Sequence, residues 1–287
     1  MKKTENRGKS RPVLSSLAVF SALFLQPGPA AAQEGDSPLS ALTYADLADL
    51  SDTATMVVKA QIRKHVAVEP ERSPGLRPGW VRLYVEAQTE ALLAGNSAIG
   101  ESLAYLADVP LDAKGKPPKL KKQSVLLFAH AVPGRADQLQ LVDVDAQIPA
   151  SGANEARVRA VLVELASPDA RPAIAGVRDA LSVEGNLDGE SETQVFLDTE
   201  QGLPVSLNVV RRPGMAPQWG VSWTEIVDQA ARPPQRDTLE WYRLACFLPD
   251  SLPYDSIISR DGAARVRAAQ DYRFILDQLG ACPRNRS

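Results

Sequence analysis

"TATMVVKAQIRKHVAV", residues 53–68, decides the first half of the fold. Val58, Ala60 and Ile62 alternate with Lys59, Gln61 and Arg63. That is the period-2 pattern of a strand with one face buried. "WVRLYVEAQTEAL" (80–92) alternates in the same way, with Val81, Leu83 and Val85 opposing Arg82, Tyr84 and Glu86. The Pro- and Gly-rich "EPERSPGLRPG" (69–79) between them reads as a loop. "ESLAYLADVPL" (101–111), the strongly apolar "KQSVLLFAHAVP" (122–133) and "DQLQLVDVD" (137–145) read as three more strands. Upstream, "TYADLADLSD" (43–52) reads as a short helix capped by Thr43, with Leu47 and Leu50 on one face. Five short, mostly antiparallel strands predict a small closed barrel, because closure removes exposed sheet edges.

The order of "MVVKAQI", "VRLYVEAQTEALLAG" and "SVLLFAHAV" resembles that of bacterial exported proteins with OB-like domains, over roughly residues 53–143. The resemblance implies an OB-like barrel domain at 43–145. The whole chain also resembles uncharacterised exported proteins of Gram-negative bacteria, a likeness that implies no activity.

"AQIPASGAN" (146–154) is small and polar and reads as a linker. In the second part, residues 155–287, "NEARVRAVLVELASP" reads as a helix capped by Asn154, with Val158, Val161, Leu162 and Leu165 along one stripe. "AIAGVRDALSVEG" (173–185) reads as a strand. The run 192–227 reads as three more strands, joined by the turns "TEQGLP" and "RPGMAP". Two helices, "TLEWYRLACFL" and "GAARVRAAQDYRFILDQLGAC", close the chain. The fold class expected is α+β: an OB-like antiparallel barrel, then an antiparallel meander packed by a C-terminal helical pair.

Residues 1–32 read as an export leader: Lys2, Lys3, Arg7, Lys9 and Arg11, then an apolar stretch, then small residues ending near Ala32. The apolar stretch falls short of the roughly 20 residues that a membrane-spanning helix needs. Residues 33–42 form a flexible lead-in. Cleavage removes five positive charges and one negative, taking the formal net charge from −3 to −7. No transmembrane span is expected in the mature chain, and the location is the periplasm or outside the cell. So acidic a chain, without a large basic block, is a poor partner for nucleic acid.

An oxidising compartment and a count of two cysteines point to one disulfide, Cys246–Cys282. Two free structural cysteines are the alternative. Neither cysteine has a histidine near it in sequence, which disfavours an activated thiolate. No Gly-x-Ser-x-Gly elbow, Ser-x-x-Lys pair, P-loop or dinucleotide fingerprint occurs. His65 and His130 are the only histidines, too few for the usual zinc sites, so neither a metal nor a cofactor is expected. "DGESE" (188–192) reads as a solvated acidic turn, and "KGKPPKLKK" (114–122) as an extended solvated loop. The remaining group is Arg211, Arg212, Trp219, Trp223 and Trp241. It is a candidate binding surface, since guanidinium groups stack on indoles at recognition sites, or else the tryptophans fill the core. These readings favour a non-enzymatic binding or interaction module of the cell envelope, with an envelope protein, a peptide or an oligosaccharide as partner. An envelope hydrolase with scattered catalytic residues and a structural component of an envelope assembly are the alternatives.

Overall fold

The structure, a computed structural model, describes residues 42–224 and 231–286. The leader, residues 33–41 of the lead-in and residues 225–227 at the end of the predicted meander lie outside the described residues. The fold is α+β. Helix α1 (Tyr44–Thr53) is opened by Thr43, whose hydroxyl accepts from the Asp46 amide while the Asp46 carboxylate accepts from the Thr43 amide. This reciprocal cap satisfies two otherwise orphaned donors of the first turn.

Strands β1 (Met56–Ala67), β2 (Trp80–Ala94), β3 (Ser102–Pro110), β4 (Ser124–Val132) and β5 (Arg135–Leu141) follow. They hydrogen-bond in the order β1-β2-β3-β5-β4, and β4 pairs again with β1. The result is a closed five-stranded barrel compatible with an OB-like topology. Four of its five pairings are antiparallel, and β3–β5 is parallel. Val58, Ala60 and Ile62 of β1, Leu83 and Val85 of β2, and Val125 and Leu127 of β4 fill the interior. The next residues along β4, Leu126 and Phe128, point the other way and are equally buried. Burial on both faces explains why β4 is a continuous apolar run and not an alternating one.

Residues 146–154 are ordered elements. Strand β6 (Gln147–Pro149) pairs with β4, and Ala146 and Ile148 are buried. Helix α2 (Gly152–Leu165) then begins two residues before the expected cap, because Ser151 accepts from the Asn154 amide in its place. The Asn154 side chain instead donates to the Pro149 carbonyl.

A second sheet, in the order β7 (Ile174–Glu184), β8 (Ser191–Thr199), β9 (Val205–Arg211) and β10 (Gln218–Ser222), is antiparallel throughout. Helix α3 (Leu239–Ala245) packs against α1, α2 and α4 (Gly262–Leu279), and α4 packs against β7 and β8. One apolar cluster joins α1, the outward side chains of β1 and β4, α2, one face of the second sheet, α3 and α4. Cys246 and Cys282 are disulfide-bonded, with their Cα atoms 5.2 Å apart. Among the described residues no helix is long and apolar enough to cross a membrane.

Candidate functional site

Alternation along the second sheet separates two unlike faces. On β9, Val205, Leu207 and Val209 point into the core, and Ser206, Asn208 and Val210 point the opposite way. The register carries this division across all four strands. Leu181, Gln194, Asn208 and Gly220 form one cross-strand row, and Val183, Glu192, Val210 and Gln218 form the next. All of these residues except Gly220 line a cleft of about 970 Å³. Its volume is in the range of small-molecule and peptide sites.

Two local devices shape the walls. On one side the chain at Ala231–Pro233 crosses close to β10, and the Val221 amide donates to the Arg232 carbonyl. A Cβ on Gly220 would lie 2.3 Å from the Ala231 carbonyl carbon, so only glycine permits this approach. On the other side is the β7–β8 hairpin, which contains the acidic "DGESE" stretch. The Glu190 carboxylate accepts from the amides of Asn186 and Leu187 at 3.0 and 3.3 Å and folds against Gly185, where a Cβ would strike it. The stretch is a turn, as its composition indicates, and it is also a wall of the cleft.

Several hydrogen-bonding groups at the cleft are unspent. Asn208 is 4 % exposed, yet its Oδ1 has no partner, and the Ser191 hydroxyl is likewise buried and unpaired. A buried, unsatisfied polar atom costs roughly 1–3 kcal/mol, so each of these groups needs a partner that the described residues do not supply. The guanidinium groups of Arg212 and Arg232 are exposed at the cleft and make no hydrogen bond or ion pair with the described residues.

The five residues picked out by the sequence do not form one surface. Arg211 lies on the core side, where its Nε donates to the wholly buried Asp271 carboxylate at 2.7 Å. Asp271 also accepts from Thr193, so Arg211 neutralises a buried charge beneath the sheet. Arg212, the next residue, points to the cleft. Trp219 borders the cleft, but it is 7 % exposed, belongs to the core cluster, and has an unpaired Nε1. Trp223 follows the end of β10, so it shares no strand face with Trp219; it is half-buried beneath the Arg171 guanidinium. Trp241 is a core residue, 2 % exposed, whose Nε1 donates to the Leu279 carbonyl at 2.9 Å. The tryptophans thus serve mainly as core, and of the five only Arg212 offers an uncommitted charge to the cleft.

Gln194, Asn208 and Gln218 were not singled out from sequence. For Asn208 the signal was present in "VSLNVV", where Ser206 and Asn208 alternate with aliphatic residues on a strand whose other face is core. His65 and His130 are remote from this site. His65 Nε2 accepts from the Leu120 amide at 3.4 Å, and His130 Nδ1 lies 3.3 Å from the Thr55 hydroxyl. Among the described residues no three His, Cys, Asp or Glu side chains group as metal ligands. Compared with known protein families and with curated proteins, the chain matches none.

Proposed function

We propose that the protein is an exported, non-enzymatic binding module of the cell envelope, and that its ligand site is the cleft on the open face of the second sheet. The observation that carries this reading is the buried, unpartnered Asn208 Oδ1 on the floor of that cleft, beside uncommitted guanidinium groups at its wall. The carboxylates at the cleft support binding over hydrolysis, because each already has a partner. Glu184 pairs with Arg267 at 2.9 Å, Glu190 holds the turn amides, and Glu192 accepts from Gln194 at 2.8 Å. The Ser191 hydroxyl has no histidine beside it to act as a base. Export rests on the leader-like residues 1–32, and the disulfide and the lack of a spanning helix among the described residues are consistent with it.

A photo-reactive residue placed at Gln194 or Gln218 in living cells tests the site. Discrete adducts are expected from both positions, and none from Gln138 on the barrel. Equal labelling at Gln138, or no adduct from either cleft position, removes the cleft as the binding site.

A further inference from the structure

We infer that the cleft takes a short peptide with free amino and carboxyl ends, lying across the strands; this rests on the cleft being the ligand site. Three features of the floor and walls carry it.

The first is charge. Glu190 and Glu192 stand at the β7–β8 side, each with one carboxylate oxygen unengaged by the described residues. Arg232 stands in the crossing segment beside β10, and its guanidinium makes no hydrogen bond or ion pair with the described residues; Arg212 follows β9, one strand from Glu190 and Glu192. The cleft is therefore negative on one side and positive on the other. A dipolar ligand gains from both sides, whereas a ligand of one sign gains from one and is repelled by the other.

The second is span. Neighbouring strands are roughly 4.8 Å apart, so two to three strand steps from Glu192 to Arg232 cover about 10–14 Å. An extended chain rises about 3.4 Å per residue, which sets the ligand at about three or four residues.

The third is the floor. Gln194, Asn208 and Gln218 present amide groups, which match peptide N–H and C=O groups in both donor and acceptor character. Leu181, Val183 and Val210 supply aliphatic contact between them. The two floor rows carry no aromatic side chain, and the aromatics at the cleft, Phe274 and Trp219, stand outside those rows and pack against the core. The floor itself therefore offers a saccharide ring no flat platform.

Calorimetric titration of the disulfide-bonded protein with a pool of tetrapeptides of Ala, Val and Leu tests the inference. The arms are both ends free, N-acetylated, C-amidated and doubly capped, with chitotetraose and tetragalacturonate as neutral and acidic saccharides. The free-ended pool is expected to bind, and capping either end to weaken binding on the order of tenfold, the scale of one charge-assisted hydrogen bond. Arg232→Glu should weaken the free acid by a similar factor and leave the C-amide unchanged. Equal binding by the doubly capped pool overturns the dipolar ligand. Binding of either saccharide without any peptide, or no peptide binding at about 1 mM, a very weak affinity, overturns the peptide. Adducts from Gln194 and Gln218 in cells would leave the cleft itself standing as the site in each of those cases.

Discussion

Asn208 shows at the scale of one residue how a buried, unpaired polar group opposes stability. Its neighbours Leu207 and Val209 face the core, and it points the other way, buried and with an unpaired Oδ1. Asn208→Leu keeps the branched heavy-atom shape, though with bulkier methyl groups, and removes the unsatisfied atom. We expect its stability to equal or exceed that of the parent by about 1 kcal/mol in urea unfolding, while ligand capture at Gln194 is lost. A loss of several kcal/mol would mean that Asn208 is a structural residue. Arg211 and Arg212 make the same point in reverse: adjacent and chemically identical, one is tied to Asp271 and the other is uncommitted.

At the scale of elements, the disulfide links the end of α3 to the segment just after α4. Cys246 is the C-cap of α3, and Cys282 lies three residues past Leu279. Closing a loop of this length stabilises by about 4 kcal/mol in the chain-entropy model. Cys246→Ala and Cys282→Ala are therefore expected to lower the unfolding free energy by similar amounts, and the double substitution by little more than either single one. Urea denaturation of the three variants measures this. Additive losses would show that each cysteine acts through its own packing and not through the cross-link.

The cross-link also positions a C-terminal strap that ties the two halves of the molecule together. Beyond Cys282, Arg284 pairs with Asp49 on α1, and the amides of Asn285 and Arg286 donate to Asp46. The Arg286 guanidinium bonds Asp145 at the end of the barrel, which Arg77 also contacts at 2.6 Å. Burial pushes the Asp46 carboxyl upward, but the amides of Thr43, Arg286 and Asn285 outweigh it and hold the group below its ordinary value. Burial also raises Asp145, and the hydrogen bonds and charges of Arg77 and Arg286 again win, so it too is lowered. A carboxyl depressed in the folded state adds stability that is present above its unfolded value, near pH 4, and is lost as pH falls through the folded value. The protein should therefore lose stability below about pH 4. Arg286→Gln should flatten that loss, as read by urea midpoints between about pH 5 and 3. An unchanged acid slope would detach the strap from acid stability. At the same scale, export predicts that the mature protein has an intact mass beginning within a few residues of Gln33, and recovery of the full-length chain from cells would overturn it.

Local pattern alone carried the five barrel strands, the strands of the second sheet, the Thr43 cap, the two closing helices and the cysteine pair. Each depends on spacing of two to four residues, or on a count. Period-2 alternation even separated the two faces of β9, since a strand must send neighbouring side chains to opposite sides. Tertiary structure alone decided which polar face is open and which is covered. Nothing local distinguishes Asn208 on a fully solvated strand from Asn208 on the floor of a cleft, because one wall comes from Ala231–Pro233, further along the chain. The same holds for residues 146–154. Their small polar composition suits a linker, but Ile148 finds a partner strand in β4 and a core that other elements build. It holds again for Trp241, whose place in the core depends on α4 offering the Leu279 carbonyl to its indole nitrogen from 38 residues away. Burial is a property of what arrives from elsewhere in the chain, and spacing within one segment does not contain it.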